Sequence, residues 1–187
     1  MSTMTTPPAA IAGAPLMPAA PRLDDRDLRL IRFVLAPGPR AGRRAKAGLR
    51  VEDLRGADQK ICDLLGAQHL PQASALAAAY RLVAAPEIGL PTSLGAGLRM
   101  PPRVRRALEL LLSGLTDDQI ADELEVARDT AHGYLTEAVQ ELGAGRRPQA
   151  AFLAVTCDLV PLSAISPLFP SLVLSKAPKS SGDRCDV

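Results

Sequence analysis

The spacing of apolar residues between positions 100 and 160 constrains the fold more than any other feature of this 187-residue chain. Val104, Ala107, Leu108 and Leu111 recur at intervals of three and four behind Pro101 and Pro102, the pattern of an amphipathic helix that ends near Ser113 and Gly114. Thr116 and Gln119 have the spacing of a capping box, in which each side chain satisfies a backbone N–H at the other residue. They predict the start of a short second helix that turns Ile120, Ala121 and Leu124 inward. Residues 125–127 form a tight connection. A third helix then places Ala131, Leu135, Ala138, Val139 and Leu142 on one face, and Gly143 stands where a left-handed C-cap is wanted. Short helix, short turn and longer helix predict a helix-turn-helix. Pro148 opens a fourth helix reaching about residue 159, with Phe152, Leu153 and Cys157 for packing.

Apolar residues make up 47% of the chain but aromatic ones only 3%, so the core must be built from Leu, Ala, Val and Ile. Such a core suits closely packed helices, and alternating β-branched runs are missing, so the expected class is all-α. The charge of +2 is too close to zero to argue for nucleic acid, and the distribution of charge must carry that argument. Cys62 and Cys157 sit in apolar helical patterns and read as core thiols, whereas Cys185 lies in a polar tail; none has metal-ligand spacing. No nucleophile beside a base and no phosphate-cradling loop appears, so no enzyme, catalytic residue, metal or cofactor is expected. A chain with no signal-peptide pattern and no apolar run near about 20 residues is expected in the cytoplasm, without a membrane partner.

Four segments are expected. Residues 1–22, interrupted by Pro7, Pro8, Pro15, Pro18 and Pro21, form a disordered Ala/Pro-rich arm. Residues 23–97 form a small helical N-terminal domain. There, Leu28, Ile31, Val34 and Leu35 make a stripe between the N-terminal charges Asp24 and Asp25 and the stop at Pro37 and Gly38, and further helices cover 58–65 and 72–84. Between them Arg40, Arg43, Arg44, Lys46 and Arg50 read as a mobile basic loop that either follows a phosphate backbone or is simply solvated. Residues 91–98 are a Gly/Ser linker, residues 98–160 hold the helix-turn-helix domain, and residues 161–187 are an apolar, then polar tail. Ile165, Leu168, Phe169, Leu172, Val173 and Leu174 in that tail must fold back over the domain or cover a partner. The N-terminal domain also reads as a degenerate helix-turn-helix copy, matching 23–38 to 100–114, 61–65 to 120–124 and 88–89 to 142–143. That register needs insertions over the basic loop and inside the third helix.

Residues 100–151 resemble, without a gap, the four-helix DNA-binding domain of the LuxR/NarL class of bacterial transcription regulators. The resemblance is carried by Pro102-Arg103, Leu108, Gly114-Leu115-Thr116, Gln119-Ile120-Ala121, Leu124, Val126, Thr130, Leu135, Leu142-Gly143 and Gln149-Ala150. It implies a third helix in the major groove, a second helix bracing it and a fourth that makes a dimer contact. On this register the base-edge readers fall on His132, Gly133 and Thr136, Thr130 lies near the phosphates, and Arg128, Arg146 and Arg147 supply positive charge. The chain departs from the family where lysine or another long polar residue is usual, having His132 and Gly133, and Glu137 adds negative charge. The implied function is a transcription regulator that binds duplex DNA sequence-specifically as a homodimer, nucleoid-associated when bound. The alternative is a co-regulator with weak or no DNA binding, whose protein partner is met by the domain itself, the N-terminal domain or the C-terminal tail.

Overall fold

The computed structural model describes residues 19–91, 98 and 100–169, and among these it is all-helical. The elements are α1 (Asp25–Leu35), α2 (Arg40–Ala47), α3 (Ala57–Leu65), α4 (Leu70–Ala79), α5 (Pro102–Leu112), α6 (Asp117–Leu124), α7 (Arg128–Glu141) and α8 (Arg147–Thr156). Short 3-10 turns lie at Glu52–Leu54, Ala85–Ile88 and Leu162–Ala164. Most of the N-terminal arm, nearly all of the linker, and the outer tail with Leu172, Val173, Leu174 and Cys185 lie outside the described residues. No helix of the described residues is long and apolar enough to cross a membrane.

Local chemistry sets several of these boundaries. Asp24 caps α1 by accepting from the Asp27 N–H at 2.7 Å, and the Asp27 carboxylate returns the contact to the Asp24 N–H. Thr116 and Gln119 form the expected box at α6, with the Gln119 side chain accepting from the Thr116 N–H at 2.9 Å. Gly143 adopts the left-handed conformation expected of it, at φ +60°.

The basic stretch is not a loop. Residues 40–47 form helix α2, because Arg, Ala and Lys are good helix formers and Gly48, at φ +62°, ends the run. Arg43 ties it down by donating from Nη1 to the Phe33 carbonyl at 3.0 Å while its guanidinium carbon lies 4.8 Å from the centre of the Phe33 ring. Helix α4 stops at Ala79, short of the expected residue 84, and α8 stops at Thr156; in each case a residue with positive φ, Arg81 or Asp158, turns the chain two positions on.

One continuous core runs from Leu30 to Phe169 and draws on both halves of the chain. At its centre α4 lies along α8. Residues 72–79 of α4 and 149–155 of α8 are all buried, and many are alanine, which lets the two backbones approach closely. A helix buried on every side belongs in the middle of a packed structure. The described part of the tail folds back onto this core, with Ile165 buried and the Phe169 ring 5.3 Å from that of Tyr80, while Leu168 points outward.

The two halves repeat each other in a register different from the expected one. Helices α1 and α5 begin at Asp25 and Pro102, α2 and α6 at Arg40 and Asp117, α4 and α8 at Leu70 and Arg147, and two of the 3-10 turns at Ala85 and Leu162, a constant displacement of 77 residues. The left-handed residues Arg81 and Asp158 keep the same displacement. So do the identical pairs Pro71/Pro148, Gln72/Gln149, Ala73/Ala150, Leu76/Leu153, Ala77/Ala154, Leu82/Leu159, Val83/Val160 and Ile88/Ile165. No insertion is needed. The third position alone differs in form, since the turn Glu52–Leu54 and α3 occupy the stretch that is the single long helix α7 in the second half. The break falls at Gly56, at φ +66°, and its counterpart is Gly133, held inside the unbroken α7.

Candidate functional site

Helix α7 packs on α5, α6 and α8 through Ala131, Leu135 and Ala138. The opposite surface is uncovered: Arg128, Thr130, His132, Gly133 and Thr136 are all exposed. The structure therefore places five of the seven sequence-predicted site residues on the exposed surface of one helix, with Arg128, His132 and Thr136 along one edge and Thr130 well round from them. A Cβ added at Gly133 would meet nothing within 4 Å, so this glycine keeps the face open without being required by packing.

The charges on that face are largely answered from within. Arg147, at the start of α8, makes a two-pronged contact with Asp117 at the start of α6, Nη1 to Oδ1 at 2.6 Å and Nη2 to Oδ2 at 2.9 Å. His132 joins them, its Nδ1 3.2 Å from the Asp117 carboxylate and 3.0 Å from Arg147 Nη2. The Arg147 guanidinium holds the Asp117 carboxyl below the usual aspartate range, against the opposing effect of burial and with help from His132. Arg128 pairs with Asp118 at 3.0 Å, an exposed contact that solvent weakens. Residues 115–142 carry eight carboxylates against Arg128 alone, whereas their counterparts 38–65 carry seven cations against four carboxylates. The two repeats thus share a scaffold and differ in sign.

Arg146 is not on the outer face. Its Nη2 donates to the carbonyls of Val34 at 2.6 Å and Ala36 at 3.2 Å, at the end of α1. Gln149 donates to the neighbouring Leu35 carbonyl at 2.9 Å and accepts from the Gly145 N–H at 3.0 Å. The reason lies in α1 itself: Pro37 and Pro39 have no N–H, so the carbonyls of Phe33 and Leu35 lack the donors four residues on, and the side chains of Arg43 and Gln149 replace them.

The reciprocal contact closes a pseudo-two-fold. Gln72 donates to the Ser113 carbonyl at 3.0 Å, at the end of α5, and accepts from the Gln68 N–H at 2.7 Å. His69, the counterpart of Arg146, accepts from the Gln72 N–H through Nδ1 and donates from Nε2 to the Leu115 carbonyl at 3.1 Å. Each half caps the first helix of the other. Gly114 is fixed by this arrangement, because a Cβ there would come within 2.9 Å of the Gln72 side chain and its φ is +103°.

The surface that the family resemblance assigns to dimerisation, the fourth helix α8, is therefore filled by α4 of the same chain. Over residues 149–155 α8 is buried within the chain and offers no free face to a second copy. Sequence reasoning missed His69 and Gln72 because their acceptors lie more than 40 residues away, although the repeated Pro-Gln-Ala at 71–73 and 148–150 would have disclosed the register. Among the described residues no group of three or more His, Cys, Asp or Glu is placed to hold a metal ion. No family model, curated protein or solved structure matches this chain.

Proposed function

We propose that the chain is a transcription regulator in which two helix-turn-helix-like copies, joined back to back within one molecule, act on duplex DNA. The observation that carries this reading is the uncovered outer surface of α7, where Arg128, Thr130, His132, Gly133 and Thr136 are exposed on a helix that follows a short bracing helix and a tight turn. The α4–α8 pair stands where two subunits of a dimer would meet, so one 19.7 kDa chain suffices and light scattering should report a monomer. Most of the phosphate affinity comes from the first copy, whose Arg40, Arg44, Lys46, Arg50 and Arg55 are free of the ion pairs that engage Arg128 and Arg147.

A second reading is favoured by the eight carboxylates of residues 115–142, which repel phosphate and suit a co-regulator whose α7 face meets a basic protein surface. Fluorescence anisotropy with promoter fragments and random duplexes at several salt concentrations separates the two. For DNA binding, each phosphate contact adds about 0.9 to the slope of log affinity against log salt. Arg128→Ala and Thr136→Ala should then relax sequence preference, and removal of Arg40, Arg44 and Lys46 should flatten the slope by about 2 to 3. Absence of binding to any fragment at low salt, by chain that is folded by circular dichroism, rejects the DNA reading and leaves the protein partner.

A further inference from the structure

A cavity of about 250 Å³ opens in the first copy, bounded by Arg40 and Arg43 of α2, Phe33 and the start of α3, with Arg146 reaching in from the start of α8. Three arginines line it, and Asp58 is the one carboxylate among the lining residues. The Nε–H of Arg43 is buried and has no hydrogen-bond partner. The N-cap of α3, Gly56, offers no side-chain cap, and Gly56, Ala57 and Asp58 line the cavity, so the positive end of this helix adds to the arginines. Burial lowers the pKa of both Arg43 and Arg146; the next contribution is repulsion from Arg40 on Arg43 and from Arg43 on Arg146, with Asp58 opposing. Like charges crowded into a concave, partly dry site are stabilised most by an anion that accepts several hydrogen bonds at once.

We infer that this cavity is an oxyanion site that takes a phosphoryl group, held by Arg40, Arg43, Arg146 and the start of α3. The group is supplied either by a small phosphorylated molecule or by the backbone of the duplex invoked above, and only the second source rests on the DNA reading. Because Arg146 also grips the end of α1, and Arg147 beside it holds Asp117 and His132, occupancy stiffens the connection between the first copy and the outer face of α7.

Titration calorimetry and thermal denaturation of the full chain with inorganic phosphate, against sodium chloride at matched ionic strength, test the site. Saturable binding and a rise in Tm are expected. Arg40→Gln, which replaces an exposed side chain outside the ion pairs and hydrogen bonds that hold the fold, should weaken phosphate binding about tenfold, the effect of losing one charged hydrogen bond. Asp58→Asn should tighten it several-fold, since it removes the one opposing charge. Phosphate that binds with these responses but leaves duplex anisotropy unchanged identifies a small-molecule site, whereas phosphate that displaces duplex identifies the backbone. Absence of phosphate binding above the chloride control, or binding indifferent to both substitutions, overturns the inference.

Discussion

Gln149→Leu isolates the reciprocal capping that holds the two halves together. The leucine matches the glutamine closely in volume and keeps the packing of a residue that is 1% exposed, but it removes the donor from the Leu35 carbonyl and the acceptor from the Gly145 N–H. Gly145 is exposed and its N–H recovers a partner from water, so that half of the loss is small. The Leu35 carbonyl has no such recourse: Leu35 is buried, and the residue four positions on is Pro39. An unsatisfied buried carbonyl costs about 1–3 kcal/mol, and the expected destabilisation is about 2 kcal/mol. Gln72→Leu, the counterpart, removes the donor from the Ser113 and Ile165 carbonyls; Ser113 is only half-buried and recovers part of the loss from water, so about 1 kcal/mol is expected. Urea denaturation followed by circular dichroism measures both, as a shift in midpoint at constant slope. Because the core is continuous, a single transition is expected for all three proteins. A loss below about 0.5 kcal/mol for both variants, or two separate transitions in the unsubstituted chain, would refute the argument that these glutamines join the halves.

Three further outcomes follow from single residues. Gly133→Ala should stabilise the chain by roughly 0.5–1 kcal/mol, since it replaces a helix-interior glycine where there is room for a methyl group, and thermal denaturation will show it as a higher Tm. The lowered pKa of Asp117 means that the Arg147 contact contributes stability fully above the unfolded aspartate value of about 3.9 and loses it as pH falls through the lower folded value. Asp117→Asn should therefore flatten the acid limb of the stability profile in that window while leaving its shape near neutrality unchanged. Burial pushes the Cys62 thiol up, with Asp58 and Asp63 adding to the effect, so Cys62 should react with a thiol reagent only at the rate of global unfolding, well behind the half-buried Cys157.

The local parts of the fold were legible because their causes are local. Thr116 with Gln119, Gly143, and the apolar spacing of Val104 to Leu111 each act within a few residues, and the all-α class followed from them. The basic stretch was misread because α2 consists of Arg, Lys, Ala and Gly, with no large apolar residue to mark a buried face; it is held through Arg43, by a carbonyl and a ring ten positions away. Arg146 resembled a solvated cation beside Arg147, because the carbonyls it turns inward to meet, those of Val34 and Ala36 at the end of α1, lie more than 100 residues away in the chain. The repeat was visible as Pro-Gln-Ala at both 71 and 148, but with residues 40–47 read as a loop, 61–65 was set against 120–124 in place of α2, and the register then needed insertions. Charge was the least legible property, since a near-zero total conceals one basic copy and one acidic copy.

The end of α1 also sets a timetable for synthesis. The carbonyls of Leu35 and Ala36 leave the ribosome long before Gln149 and Arg146, their donors 114 and 110 residues later in the chain. At roughly 5–20 residues per second that interval is on the order of ten seconds, during which the alanine face of α4 has no α8 to cover it. The first half must therefore wait, unfinished, for the second. Ribosome-arrested chains ending near residue 140 should be cut by protease within α1 to α4, and chains released in full should resist, so the first copy becomes a folded object only once its twin has been made.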